Sequence, residues 1–335
     1  MTHEKLFDPA DVSFDQCHAA TLAQLPDGDV LAAWFAGTTE GRDDVGIQVA
    51  RRSEGAWSAP RQLPRVRQEP HWNPVLFHPP GDTVYLFFKV GKPIPDWETW
   101  VATSGDGGIT WTDARPLVPG DRGGRGPVKN KPIVLSDGSW LAPASLQVHY
   151  PDRKIWDVFT DRSDDKGKTW AASDLVRIDH ETFPGAGLIQ PTLWESAPGI
   201  VHMLARSSCG FLCRADSRDF GQTWTDARRT DIPNNNSGVD LVSLPGGTLA
   251  MVYNPVAENW GARTPLRLAL SYDNGHTWPH ALDLETGEGE FSYPSIIACG
   301  EKLCTTYTWK RQSIAFWEGT AEELKACSES RSRKS

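Results

Sequence analysis

Ser104-Gly-Asp106-Gly-Gly108-Ile-Thr110-Trp111 is one of four copies of a single pattern, S-x-D-x-G-x-T-W. The other copies begin at Ser163, Ser217 and Ser271, and each ends at a tryptophan. Five residue types at five fixed offsets, repeated four times, identify a repeat protein. The pattern predicts a tight hairpin in which Asp bonds backbone amides, Gly adopts a positive φ, and Thr and Trp begin the next strand.

A second repeat counts the structural units. Short apolar strands break at a Gly turn and resume at six places, which are Gly28, Gly81, Gly138, Gly199, Gly247 and Gly300. A spacing of about fifty to sixty residues predicts six sheets of about four strands each. In each unit we expect the Gly turn to join the first two strands and the S-x-D-x-G-x-T-W turn to join the last two.

The predicted fold class is all-β, a six-bladed β-propeller of four-stranded antiparallel blades. The blades are expected near residues 18 to 63, 72 to 118, 128 to 177, 188 to 231, 236 to 284 and 292 to 318. The sixth is one strand short, and we expect the segment around Phe7 to Phe14 to supply that strand and close the ring. Residues 1–319 then form a single propeller.

The C-terminal residues 320–335 are expected to lie outside the propeller. Thr320 and Glu323 have the spacing of a capping box, which predicts a short helix that continues through Lys325. Ser328 to Ser335 is expected to be a disordered, solvated tail.

Composition argues against several functions. The chain of 335 residues has a net charge of -9, which argues against nucleic acid as a partner because phosphate backbones bind basic surfaces. An anionic ligand would need a local cluster of cations. We expect no membrane insertion, because no apolar run is long enough to span a bilayer. The opening residues MTHEKLFDPADV predict no export signal and a cytoplasmic location, although secretion stays open.

The six cysteines are expected to be free thiols, as is usual in a reducing compartment. Disulfides within Cys209/Cys213 and Cys299/Cys304 stay open at this point. The spacing of Cys209 and Cys213, with no His at ligand spacing, is a poor zinc site, and no acid cluster has calcium-loop spacing. We therefore expect no metal and no cofactor.

Polar residues mark the starts of the inner strands, which surround the axis of a propeller. Four of the six starting segments place a polar or phenolic residue directly before proline, namely Asn73, Lys131, Gln190 and Tyr293. Proline lacks a ladder donor and is expected to hold the preceding residue extended. The recurrence predicts side chains directed at one axial cavity, although a lining solvated by axial water would use similar residues.

The four S-x-D-x-G-x-T-W turns are Asp boxes, also called BNR repeats, and the chain resembles the sialidase superfamily of β-propellers. The starting segments and Tyr307-Thr-Trp-Lys-Arg311 resemble a sialidase-like subgroup of predicted neuraminidases. Sialidases share an early Arg, an acid/base Asp, a Glu paired with a Tyr nucleophile, and two further Arg that bind a carboxylate. A neutral phenol attacks more easily than a carboxylate beside the sugar's own carboxylate.

The resemblance implies a role for several positions, and the chain departs from the family pattern at two of them. His18 stands where the family has its early Arg, and Leu188 stands where it has the Glu that activates Tyr. The nucleophile matches Tyr293. With the Glu missing, another base is needed, and Asp240 is the candidate.

The remaining matches concern the acid and the arginines. Asp43 is the preferred match to the acid/base, with Asp44 or Glu40 as alternatives. Arg206 matches the second Arg, and Arg263 matches the third ahead of Arg267. Each of these residues has a competing structural role as a surface or inter-blade polar group.

Other residues suit an acidic sugar without a family motif. Lys89, Lys131 and Arg311 place cations among aromatic rings, which fits a ring face and a carboxylate together. Trp72, Asn73 and Gln190 are further expected substrate contacts at the starts of inner strands. The competing interpretation is that the lysines extend along strand edges into solvent.

Three functions follow from these residues. The leading hypothesis is a retaining exo-glycosidase on the terminal acidic sugar of a glycan, with Tyr293 as nucleophile. The second is a uronate lyase on the same propeller, for example on rhamnose-glucuronate linkages, with His18 or Tyr293 removing the proton beside the carboxylate. The third is a glycan-binding propeller without catalysis. In all three the partner is an acidic oligosaccharide or glycoconjugate.

Overall fold

The computed structural model describes residues 1–332, in which it places 25 β-strands and one α-helix. The strands form six antiparallel sheets, which are the blades of a β-propeller. The first strand, β1 (Thr2–Lys5), belongs to the last blade. Three short 3-10 turns interrupt the connections, at Pro9–Asp11, Ile94–Asp96 and Pro245–Gly247.

The blades follow one another along the chain. The strands of blades one to three are β2 (Gln16–Gln24), β3 (Val30–Gly37), β4 (Gly46–Ser53), β5 (Ala56–Trp57) and β6 (Arg61–Gln62); β7 (His71–Phe77), β8 (Val84–Val90), β9 (Glu98–Ser104) and β10 (Arg115–Pro116); β11 (Ile133–Val134), β12 (Trp140–His149), β13 (Lys154–Ser163) and β14 (Ala171–Ala172). Those of blades four to six are β15 (Leu188–Ala197), β16 (Ile200–Ser207), β17 (Phe211–Ser217) and β18 (Arg228–Pro233); β19 (Asp240–Ser243), β20 (Leu249–Tyr253), β21 (Leu266–Ser271) and β22 (His280–Glu285); β23 (Phe291–Cys299), β24 (Lys302–Trp309) and β25 (Ser313–Thr320). The predicted fold class and the number of blades are confirmed.

The Asp boxes have the predicted geometry. In the first box, the Ser104 hydroxyl accepts a 2.8 Å hydrogen bond from the Gly108 amide, and Asp106 accepts one of 2.8 Å from the Thr110 amide. Hydrogen bonds from the Thr110 hydroxyl and amide, and from the Ser104 hydroxyl, lower the pKa of Asp106 to about 2. Gly108 has a φ of 85°, which a residue with a Cβ resists. Each box joins the third and fourth strands of its blade, at the outer rim and far from the axis.

The core lies between blades rather than in one centre. Six clusters of buried apolar side chains occupy the six blade interfaces, including the interface between the last blade and the first. Trp34 of blade one and Phe316 of blade six are fully buried in that closing cluster. Radial packing of this kind lets a chain of this length fold around neighbouring contacts alone.

The N-terminal strand closes the ring, but at a different place from the one predicted. β1 pairs antiparallel with β25, from Thr2 opposite Glu318 to Lys5 opposite Ala315. The predicted segment, Phe7 to Phe14, is not a strand because Asp8 caps the 3-10 turn at Pro9–Asp11. Phe7 instead packs on Trp34, with ring centroids 5.3 Å apart.

The C-terminal helix α1 (Ala321–Ser332) begins at the predicted capping box. The Thr320 amide donates to the Glu323 carboxylate at 2.8 Å, and the Glu323 amide donates to the Thr320 hydroxyl at 3.1 Å. The helix runs seven residues beyond Lys325, so the predicted tail is helical as far as Ser332. Buried Leu324 packs on the cluster between blades five and six, which extends the helix. The rest of the predicted tail, 333–335, lies outside the described residues.

All six cysteines are free thiols. The sulfurs of Cys209 and Cys213 are 4.0 Å apart, about twice the length of a disulfide bond. None of the helices within residues 1–332 combines the length and apolar character that crossing a membrane requires.

Candidate active site

A ring of six left-handed residues surrounds the axis where the inner strands begin. Each blade contributes one non-glycine residue with φ between 42° and 66°. They are Ala19, Asn73, Lys129, Gln190, Asn236 and Tyr293. Backbone strain of this kind persists only where the surrounding structure holds it, and it concentrates at functional sites.

The expectation that proline keeps the preceding residue extended is wrong here. Asn73, Gln190 and Tyr293 each precede proline, yet each has a positive φ. The pairing register shifts at each of these positions, between Trp72 and Val75 in blade two and at the matching places in blades four and six. Such a bulge inserts an unpaired residue and redirects its side chain.

A cavity of about 350 Å³ opens at this end of the axis. Its charged, imidazole and phenolic lining includes His18, Glu40, Arg206, Arg263, Tyr293 and Arg311. Trp72, Asn73 and Gln190 also line it, so nine of the predicted site residues and alternatives meet in one place.

Tyr293 lies among cations. Its hydroxyl accepts a 2.7 Å hydrogen bond from Arg206 and a weaker one of 3.4 Å from the Gln190 amide. The Arg263 guanidinium lies 5.5 Å from the centre of its ring. Burial alone would raise the pKa of Tyr293, but the charges of Arg206 and Arg263 outweigh burial and hold this pKa below 10.

Arg206 on β16 is the buried centre of the site, with 3% of its surface exposed. Besides Tyr293 it donates to the Asn236 side chain at 2.7 Å and to the Gln190 side chain at 2.9 Å. Trp156 and Trp260 flank its guanidinium at 5.9 Å and 5.6 Å. These contacts fix one orientation of the cation before any ligand arrives.

Arg263 and Arg311 share one carboxylate. Glu290 accepts a 2.5 Å hydrogen bond from Arg263 and one of 2.8 Å from Arg311. Burial acts to raise the pKa of Glu290, but the two guanidinium groups lower it below its usual range. Arg311 also pairs with Glu40. Arg311 therefore supplies a third cation to the cavity, although residue 18 is histidine.

His18 is a buried, neutral imidazole. Its Nδ1 lies 2.8 Å from the Thr308 hydroxyl, and its ring centroid lies 4.2 Å from that of Tyr293. Burial first, and then the charges of Arg311 and Arg263, lower the pKa of His18 well below 6.5. The side chain can hydrogen-bond a sugar or accept a proton, but it adds no positive charge at neutral pH.

The structure places Glu40, not Asp43, at the cavity. The preferred acid, Asp43, is 59% exposed and pairs with Lys92 at 3.2 Å. Asp44 accepts bonds from the Thr38 amide and hydroxyl and so stabilises the loop. The loop turns at these residues, which leaves only Glu40 directed toward Arg311.

Three other predicted residues lie away from the cavity. Asp240 has no exposed surface and accepts hydrogen bonds from Lys131 at 2.8 Å and from Thr192 at 2.9 Å. Lys131 lines a separate cavity of about 530 Å³ farther along the axis. Lys89 donates to Thr99 and to the Arg125 carbonyl, and burial lowers its pKa to about 8. These are structural roles, because each charged group already has hydrogen-bond partners within the fold.

Arg267, the alternative third arginine, is also committed elsewhere. It pairs with Asp283 at 2.6 Å on neighbouring strands of blade five. Lys129, which was not a predicted site residue, lies buried below Tyr293 and donates to the Val239 and Pro294 carbonyls. It thereby joins inner strands of blades three, five and six.

Sequence reasoning missed several residues of the cavity. These are Gln147, His149, Lys154, Trp156 and Trp260, together with Glu290, which pairs with the arginines. None belongs to a repeated motif. Only the alternation of Gln147 and His149 along a strand was a usable signal.

Two indole N–H groups at the cavity have no partner. Trp97 and Trp156 are 8% and 5% exposed, and their Nε1 atoms are buried without an acceptor in the described part of the chain. Trp72 packs against Trp97 with ring centroids 5.2 Å apart, but it differs because its Nε1 donates to the Gly91 carbonyl at 2.8 Å. Buried donors of this kind call for an acceptor from water or a ligand.

The cavity as a whole suits an anionic, hydroxyl-rich ligand. Three arginines and Lys154 outnumber the carboxylates of Glu40 and Glu290, so the local charge is positive despite the acidic chain. Aromatic faces and unpaired N–H donors are the groups that bind sugar rings and hydroxyls. Within residues 1–332, no three His, Cys, Asp or Glu side chains are grouped as metal ligands.

Residues 28–305 match the family model described as a BNR repeat-like domain. No curated protein sequence matches the chain significantly. Among solved structures, the chain is similar to the Hadza microbial sialidase Hz136, at 16% identity and a TM-score of 0.79 over 96% of this chain and 69% of that one. It is also similar to a protein of unknown function from Dyadobacter fermentans, at 15% identity and a TM-score of 0.76 over 94% and 97% of the two chains.

The NanB sialidase from Streptococcus pneumoniae is a further structural neighbour. It is 13% identical, with a TM-score of 0.72 over 96% of this chain and 71% of the sialidase. Identities this low show a shared fold, so the chemistry has to be argued from the side chains of the cavity.

Proposed function

The chain belongs to the BNR repeat-like domain family, and from this premise we propose that it cleaves the glycosidic bond of a terminal, carboxylate-bearing sugar in its axial cavity. Its structural neighbours include sialidases, which fits an enzyme of this class. The carboxylate of the sugar binds Arg206, Arg263 and Arg311. The partner is an acidic oligosaccharide or glycoconjugate.

The observation that carries this proposal is the 2.7 Å hydrogen bond between Arg206 and the Tyr293 hydroxyl inside a cavity with two more arginines. A phenol with a lowered pKa is a competent nucleophile beside an anionic substrate. A carboxylate in its place would be repelled by the sugar's own charge.

The proposed reaction has two steps. In the reacting form Tyr293 is a phenolate and Glu40 carries a proton. The phenolate oxygen bonds to the anomeric carbon as the glycosidic carbon–oxygen bond breaks, and Glu40 gives its proton to the departing oxygen. Water then attacks the same carbon, loses a proton to Glu40 and frees Tyr293. Two displacements retain the configuration of the sugar.

The test has two parts. The first measures release of sugar from a panel of acidic glycosides, and the second identifies the residue that forms a covalent bond to the sugar. A fluorinated acidic glycoside that slows the second step should leave a covalent adduct, which peptide mass spectrometry should locate on Tyr293. An enzyme that releases sugar while Tyr293→Phe retains full activity would refute this role for Tyr293.

A uronate lyase is the second candidate, and one observation favours it. The Tyr293 hydroxyl contacts donors only, Arg206 and Gln190, and no described carboxylate activates it. A phenolate held by cations is a good base for the proton beside a uronate carboxylate, whose acidity rises when arginines neutralise it. Tyr293 takes that proton, the electron pair left behind forms a carbon–carbon double bond as the bond to the neighbouring glycosidic oxygen breaks, and the departing oxygen takes the proton back from Tyr293.

One panel separates the candidates. Hydrolysis releases a saturated reducing sugar, whereas elimination produces an unsaturated product that absorbs in the ultraviolet. Binding of an acidic glycan measured by calorimetry, without either product, would refute both reactions and leave a glycan-binding propeller.

A further inference from the structure

The hairpin of blade three is longer than its counterparts. β12 and β13 each contain ten residues, whereas the second and third strands of the other blades contain eight or fewer. The two strands stay paired from Trp140 opposite Ser163 to His149 opposite Lys154. The added length brings the end of the hairpin to the axial cavity.

One face of this hairpin lines the cavity. Gln147 pairs with Trp156, and His149 pairs with Lys154, and all four side chains belong to the lining. The intervening pair of Val148 and Ile155 alternates to the opposite face, as pleated strands require. The four residues therefore form one continuous surface beside the arginines.

The backbone of this surface is anchored, and one of its donors has no acceptor. The Trp156 amide donates to the Ala186 carbonyl at 2.8 Å, which anchors the hairpin to the preceding connection of blade four. The Trp156 indole N–H is buried without a partner in residues 1–332. Lys154 adds an ammonium group, His149 adds an imidazole, and none of the four residues is acidic.

We propose that this face, formed by Gln147, His149, Lys154 and Trp156, is a second anion-binding subsite. It takes a carboxylate or a sulfate ester on the sugar unit next to the terminal acidic sugar, with Lys154 as the cation and Trp156 as a fixed donor. The preferred substrate is then a polyanionic glycan. This inference rests on the proposed function, because it assumes that the arginine cluster holds the terminal carboxylate.

The experiment compares binding of oligosaccharides that share their terminal sugar. Sialyllactose has a neutral second unit, disialic acid has a carboxylate there, and sialyllactose sulfated on galactose has a sulfate there. Cellobiouronic acid and a diglucuronate form a second pair, in case the terminal sugar is a uronate. Calorimetry on the full chain gives a dissociation constant for each, and sugar release gives kcat/KM on the same compounds.

We expect at least one doubly charged compound to bind about 10-fold more tightly than its singly charged counterpart, the effect of one charge-assisted hydrogen bond. Lys154→Gln should weaken the doubly charged compound more than the singly charged one, so that the difference between them disappears. The matched control is Arg153→Gln. Arg153 is next in sequence but lies outside the cavity lining and pairs with Glu181 at 3.6 Å, so this variant should keep the preference.

Trp156→Phe is the second variant, since it keeps an aromatic ring and removes the indole N–H. It should weaken the doubly charged compounds selectively. Comparison of the compounds that have a carboxylate on the second unit with the compound that has a sulfate there identifies which anion the subsite binds.

The outcomes distinguish failure of the second subsite from failure of the proposed function. Equal affinity for matched compounds, or an unchanged ratio in Lys154→Gln, would overturn the second subsite while any turnover still supports the proposed function. A preference for doubly charged compounds without turnover would support the subsite and refute the reaction. Absence of binding to every compound would overturn both.

Discussion

The guanidinium of Arg206 donates a 2.7 Å hydrogen bond to the hydroxyl of Tyr293, across 87 residues of sequence and from blade four to blade six. Both residues reach the axis because β16 ends, and β23 begins, at the same end of the ring. The contact combines a fixed cation with an ionisable oxygen. It is therefore the feature from which the predictions about activity follow.

Tyr293→Phe should reduce kcat on an acidic glycoside by roughly 10³-fold, because the reacting oxygen is removed while the arginines remain. The affinity for the substrate should change little. Steady-state kinetics and calorimetry measure the two effects separately. Tyr307→Phe is the control, since the Tyr307 hydroxyl bonds Glu285 at 2.7 Å, away from the cavity.

The pH dependence should report the ionisation of Tyr293. The pKa of Tyr293 lies below 10 because Arg206 and Arg263 stabilise the phenolate against burial, so kcat/KM should rise with pH through a midpoint below 10. Arg263→Gln removes one stabilising cation and should move that midpoint upward. A profile with the same midpoint in both proteins would contradict a reacting phenolate.

Glu40→Gln should lower activity by about 10²-fold, whereas Asp43→Asn should change it by less than about twofold. Glu40 lines the cavity and pairs with Arg311, while Asp43 is directed at solvent and Lys92. On a substrate with a good leaving group, which needs little help from an acid, Glu40→Gln should lose less activity. If Asp43→Asn lost more activity than Glu40→Gln, Asp43 would be the acid instead of Glu40.

Asp240→Asn should destabilise the fold by about 3–5 kcal/mol, because it leaves the partly buried Lys131 ammonium without its counter-charge. Chemical denaturation measures the free energy of unfolding. The double variant Asp240→Asn/Lys131→Met should recover part of the loss, since it removes both charges. A single variant as stable as the native protein would mean that the pair contributes little.

Deletion of residues 1–5 should lower the free energy of unfolding by about 2–4 kcal/mol, through loss of the ladder between β1 and β25. It also exposes a strand edge, so aggregation on heating should increase. Thermal denaturation and light scattering test both effects. Unchanged values for both would show that β1 does not close the ring in solution.

The fold was predictable because its signals are local. The bonds from Asp106 to Thr110 and from Ser104 to Gly108 span only four residues each, so four copies of a short pattern were enough to define blade boundaries. The position of β1 was less certain because its pairing with β25 depends on contacts more than three hundred residues apart. The only signal in the sequence that favoured the correct position of β1 was the proline of the neighbouring 3-10 turn.

The site was predictable only in part. Tyr293, Arg206 and Arg263 carried a family pattern, and all three lie at the cavity. Asp240 misled because it lies near the same end of an inner strand, yet its side chain is enclosed by Lys131 and Thr192. Glu290 carried no signal, since its role depends on two arginines from other parts of the chain.

The left-handed residues at the starts of the inner strands affect how the binding specificity of such a propeller can change during evolution. In blades two, four and six the left-handed residue presents its side chain to the mouth through a bulge in its own strand; these residues are Asn73, Gln190 and Tyr293. A single substitution at Asn73 therefore alters the chemistry of the mouth and leaves Gln190 and Tyr293 in place. Ligand preference can diverge in steps of one residue, and asparagine or glycine, which tolerate this backbone, are the least costly intermediates.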